Sequence, residues 1–162
     1  MTDPHVVRDG DAPTPFTADE IRAACLEGHT LHTVTEEAGE VVGRSRIDFV
    51  GVDAEGATMR STSVGEAGEP LADPVERRAA WTDLQAHASF PAAVTARVDD
   101  VLDGPLGSLH CRRYEVRGDP DVMVFWFALD HPGMPIRYEI RRDEEVVSTT
   151  SVVSVGAVRP DA

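Results

Sequence analysis

The run Val122-Met123-Val124-Phe125-Trp126-Phe127-Ala128-Leu129 holds eight residues without one polar side chain, and no other feature restricts the fold as strongly. A half-buried strand alternates apolar with polar residues, whereas a strand that is apolar throughout must be covered from both sides. Its length suits a strand and falls far short of the roughly 18 residues of a membrane span. Read as a strand, it carries Met123, Phe125, Phe127 and Leu129 on one face and Val122, Val124, Trp126 and Ala128 on the other. The stretch "DHPGMP" then breaks it, and strict alternation resumes in "IRYEIRR".

The rest of the chain supplies short strands around this one. "TLHTVT", "VVGRSRIDFVGV" and "ATMRSTSV" alternate with period two and are divided at Gly39 and Gly56, which reads as an antiparallel meander. After Phe90-Pro91 the same period returns in "AVTARVDDV", "SLHCRRYEV", "DVMVFWFAL", "PIRYEIRR" and "EVVSTTSVVSV". Two segments read as helices. Thr17 with Glu20 forms a capping box ahead of Ile21, Ala24 and Cys25, and Gly28 stops that helix. Asp73 and Pro74 read as the cap of a second, "PVERRAAWTDLQAHA", with Trp81, Leu84 and Ala88 on one stripe. The expected architecture is mainly β (α+β): one curved antiparallel sheet of about eight strands, a half-barrel wrapped around the Trp81 helix, with an N-terminal helix. Residues 1–15 read as a disordered leader, 16–156 as one domain and 157–162 as a flexible tail.

Composition removes several function classes. A chain of 162 residues is about one domain. It has no lysine, so a Schiff-base lysine and a P-loop are excluded. A formal charge of −14 with dispersed arginines disfavours nucleic acid. No basic n-region with an apolar core opens the chain and no apolar run approaches a membrane span, so a cytoplasmic location is the expectation. Cys25 and Cys111 read as small buried hydrophobes. The signatures of serine hydrolases, dinucleotide binders and zinc sites are missing. His29 and His32, three apart on a strand, face opposite sides, and His110 diverges from Cys111, so neither metal nor cofactor is expected.

The aromatic strand has two readings: plain core, or the wall of a ligand cavity with Trp81, Leu84, Phe125, Trp126, Phe127, Met134 and Tyr138 as candidate ligand-binding residues. Polar candidates are His131 and Asp130 in the proline-held loop, and Tyr114, which needs a hydroxyl partner if buried. The row Arg137, Glu139, Arg141 reads as a surface charge ladder.

The succession "VTARVDDVLDGPLGSLHCRRYEV" followed by "VFWFALDHPGMPIRYEI" resembles half-barrel proteins related to the bacterial lipoprotein carriers LolA, LolB and LprG, over roughly residues 29–155. Pro105-Leu106-Gly107, Cys111, Tyr114, Trp126, Phe127, Pro135, Ile136 and Glu139 carry the resemblance. It implies an incomplete barrel, a helix closing the open side, and a hydrophobic cavity for acyl chains or similar ligands. Carriers of this kind bear export signals, which this chain does not show. Three functions follow as expectations: binding of a hydrophobic small molecule in the cavity; a cofactor-independent cyclase or isomerase using His131, Asp130 and Tyr114; or a structural domain that buries the second apolar face in a homodimer.

Overall fold

Hairpin turns set the order of the sheet in the computed structural model, which describes residues 2–157. Helix α1 (Ala18–Ala24) starts at the Thr17 capping box, as the sequence reads. Strands β1 (His29–Glu37), β2 (Glu40–Val52), β3 (Gly56–Ser63) and β4 (Val75–Ala80) form one meander. Helix α2 (Trp81–Ala86) then leads to β5 (Thr95–Gly104), β6 (Gly107–Arg117), β7 (Val122–Ala128), β8 (Arg137–Arg142) and β9 (Glu145–Ala157), a second meander. The spatial order is β4-β3-β2-β1-β9-β8-β7-β6-β5, so the meanders join through β1 and β9, and β4 and β5 are the free edges of an unclosed sheet. All pairings are antiparallel.

Nine strands replace the expected eight, because the second helix is shorter than its sequence suggests. Residues 75–80 pair with β3 from Ser61↔Val75 to Gly56↔Ala80. Ladder bonds and cross-strand ion pairs outweigh the helical signal of Asp73-Pro74: Arg60 grips Glu76 at 2.8 and 3.0 Å, and Arg78 bonds the Gly51 carbonyl at 2.6 Å and Asp53 at 2.5 Å. Helix begins only at Trp81, whose indole donates to the Asp53 carbonyl at 2.9 Å.

Helix α2 has no side-chain cap and is anchored from its flank. Gln85, the only glutamine, accepts from the Ala18 amide at 2.9 Å and donates to the Pro4 carbonyl and the Thr14 hydroxyl. Within the segment 1–15, read from sequence as a disordered leader, the stretch from Asp11 packs on the domain: Ala12 bonds the Phe90 carbonyl, and Thr14 is 1 % exposed. Of the expected tail, all but Ala157 lies outside the described residues.

The two faces of β7 are covered by different means. Inward, Phe125 and Phe127 join Phe16, Phe90 and Tyr114 in an aromatic cluster: Phe127 meets Tyr114 edge-on at 5.4 Å, and Phe90 stacks on Phe125 at 5.0 Å. Outward, no second layer exists among the described elements, yet Val124 and Trp126 are buried. Their cover comes from neighbouring strands. The Trp126 indole donates to Asp100 at 3.1 Å, Arg113 bonds the same carboxylate at 3.0 Å, and the Arg137 guanidinium lies 5.5 Å above the indole ring. Glu139, expected as part of a surface ladder, is buried between Arg137 and Arg141.

Two predictions follow from these contacts. A Cβ at Gly56 would lie 2.9 Å from Ala80 Cα, and that atom is backbone and cannot swing aside. Gly56→Ala should cost about 2 kcal/mol, lowering the thermal midpoint by roughly 4–8 °C in calorimetry. Asp100 has its carboxyl held below the usual aspartate range, first by the Trp126 N–H and further by the Val101 amide and Arg113, against an opposing push from burial. A depressed folded-state value stabilises above the ordinary aspartate value of about 3.9 and is lost as pH falls through the folded one. Asp100→Asn should cost about 1 kcal/mol at neutral pH, and its stability should decline less steeply than the wild type's on acidification below about pH 4.

Candidate functional site

Between the inner face of the sheet and the two helices lies a cavity of about 240 Å³. Leu31, Phe49, Phe125, Phe127 and Val152 form its floor, contributed by both meanders, and Ile21, Leu84 and Ala88 its roof. The β7–β8 loop, residues 129–136, closes one side. Its ends are pinned by the Leu129 amide on the His110 carbonyl and the Ile136 amide on the Trp126 carbonyl. Gly133 has φ +140°, and a Cβ there would stand 3.4 Å from Cys25 Sγ, so a close passage against the end of α1 favours glycine at this point. The Cys25 thiol donates to the Pro132 carbonyl at 3.6 Å, tying loop to helix.

The polar side chains of the lining are His29 from the start of β1, His87 from the end of α2, Asp130 and His131 from the loop, and Cys25. The His29 ring meets Phe49 edge-on at 5.3 Å. Burial lowers the His29 pKa, and the charge of His131 lowers it further, so the neutral imidazole prevails at pH 7. Burial pushes the Cys25 thiol up to about 11, which makes it a poor nucleophile.

The candidates read from sequence divide. Leu84, Phe125, Phe127 and Met134 line the cavity, and Asp130 and His131 stand at its rim. Trp81 lies behind the helix start on Asp53, Trp126 is on the outer face, and Tyr138 stacks against Phe125 at 5.9 Å without reaching the void. Tyr114 is fully buried, its hydroxyl donated to the Pro13 carbonyl at 2.6 Å, and burial raises its pKa. The suggested catalytic set of His131, Asp130 and Tyr114 therefore does not converge on one point.

Sequence reasoning missed Leu31, Phe49 and His87. It weighed His29 only as a metal ligand, although the alternation of "HTLHTVT" already put His29 and Leu31 on one face. His32 points the other way, toward a shallow outer depression where Arg46 pairs with Asp48 at 3.0 Å and Thr30 also bonds Asp48. No group of three or more His, Cys, Asp or Glu side chains suited to a metal ion occurs among the described residues.

No family model matches the chain, and the search of curated proteins returned no match. Among solved structures it is similar to a candidate exported protein with a YmcC-like fold from Bacteroides fragilis NCTC 9343, with 11 % identity and a TM-score of 0.50 over 81 % of this chain and 96 % of the other. At that identity the likeness is one of fold alone: a curved antiparallel sheet with few helices. It forms no link to the lipoprotein carriers and lends no support to a cytoplasmic location. No described helix is long and apolar enough to cross a membrane.

The two thiols give a direct check. With Cys25 and Cys111 both buried and both raised by desolvation, neither should react with iodoacetamide at pH 8 in the native protein, and both should react after unfolding. Mass spectrometry of the alkylated chain reads this, and rapid native labelling of Cys25 would contradict the described packing.

Proposed function

We propose that this protein binds a compact apolar small molecule in the cavity between the sheet and helices α1 and α2. The observation that carries the reading is the void itself. A space of about 240 Å³ lined mainly by apolar side chains leaves that surface facing water or nothing, at a cost that an apolar ligand would remove. Larger side chains at Ala24 or Ala88 would remove that cost, and their absence suits a site built to be filled. The volume lies just below the ~300–1,000 Å³ of drug-sized sites and equals about eight water volumes at ~30 Å³ each. It favours a short or compact ligand over a long acyl chain.

The resemblance of the Pro105-Leu106-Gly107, Trp126-Phe127 and Pro135-Ile136 packing motifs to those of the half-barrel lipoprotein carriers is in keeping with this use of the scaffold. Catalysis is less well supported, because Tyr114 is committed to Pro13 and the remaining pair, Asp130 and His131, is all that is left of the set. A homodimer was motivated by an apolar outer face in need of cover, and Trp126 and Val124 find that cover within the chain.

Filling the void tests the reading. Wild type should enhance the fluorescence of an uncharged apolar dye such as N-phenyl-1-naphthylamine, with a stoichiometry near one. Ala88→Phe, which places a ring where α2 faces the cavity, should weaken dye binding at least about tenfold while circular dichroism stays unchanged. Equal dye binding by both proteins would remove the cavity as the site.

A further inference from the structure

The charged residues are distributed in a way that says which polar end such a ligand has. The chain carries 15 basic residues, all arginine, and none of the described arginines lines the cavity. Seven of them are paired elsewhere: Arg46 on Asp48, Arg60 on Glu76, Arg78 on Asp53, Arg113 on Asp100, Arg137 and Arg141 on Glu139, Arg142 on Asp121. The groups at the rim are three imidazoles from three different elements, one thiol and one carboxylate. With Cys25 donating to Pro132, the polar lining consists of imidazoles, each one donor and one acceptor when neutral, and one carboxylate, with no fixed cation. The floor adds the rings of Phe49, Phe125 and Phe127, which favour positive over negative charge near their faces. The formal charge of −14 adds a long-range field of the same sign.

Building on the cavity reading, we infer that the ligand is an apolar molecule whose polar end donates hydrogen bonds and carries no negative charge, an alcohol or an amine, and that carboxylates and phosphates are refused. The apolar body lies on the Phe125 and Phe127 floor. The donor end faces His29, His131 and Asp130. An ionised carboxylate in the same pose would lose its water and gain no cation in exchange, which is the costly case for a buried charge.

His29 is held neutral by burial and by the charge of His131, so its ring keeps one nitrogen able to accept from a donor end.

The test uses the wild-type chain and three probes of equal length: octan-1-ol, octylamine and octanoate, titrated calorimetrically at pH 8. The alcohol and the amine should bind, with octanoate at least about tenfold weaker. Octanoate binding as tightly as octanol would overturn the inference and leave the cavity reading intact, and so would binding of N-phenyl-1-naphthylamine with none of the three probes bound. Absence of binding by all three, together with no response of that dye, would overturn both.

Discussion

The pairing of β1 with β9 is the constraint on which the rest depends. It runs from His29↔Ala157 to Glu37↔Ser148 and is, among the described residues, the only strand pairing between the two meanders. Thr35 and Thr150, 115 positions apart, meet across it through their hydroxyls at 3.0 Å. Loop closure on that scale is entropically demanding and must precede any return from the contacts it permits. The cavity straddles this seam, with Leu31 and Phe49 on one side and Phe125 and Phe127 on the other. Neither meander alone has a floor.

A nine-stranded sheet with two short helices can cover only one of its faces in the usual way. The inner face receives helices and the aromatic cluster. The outer face over β7 is closed by the Arg137 guanidinium lying over Trp126 and by Arg113, Arg137 and Arg141, whose charges are paired with Asp100 and Glu139. Arginine suits this place, since a planar guanidinium both stacks on an indole and forks onto a carboxylate, which an ammonium does not.

Much of this was legible. Thr17 and Glu20 announce α1, and the division at Gly39 and the two-faced run at 122–129 describe the sheet, because each signal is local and no distant contact opposes it. Strand β4 was hidden. Asp73-Pro74 is a valid helix start, and only pairing with β3, a tertiary fact, decides otherwise. The alternating rows of β7 were correct, but the pattern alone could not say which faced the helices, so Trp126 was paired with the cavity when it belongs outside. The N-terminal segment looked featureless because its ties are to backbone carbonyls of Pro4 and Pro13, whose partners lie far along the chain.

Gln85 shows how the cavity is roofed. One side chain holds the amide of Ala18, the carbonyl of Pro4 and the hydroxyl of Thr14, so both helices and the N-terminal segment share a single rivet. Such a roof behaves as a lintel and not as a hinged lid: raising α2 breaks three bonds at once. The wall at the 129–136 loop is tied to α1 differently, through the Cys25 thiol on the Pro132 carbonyl.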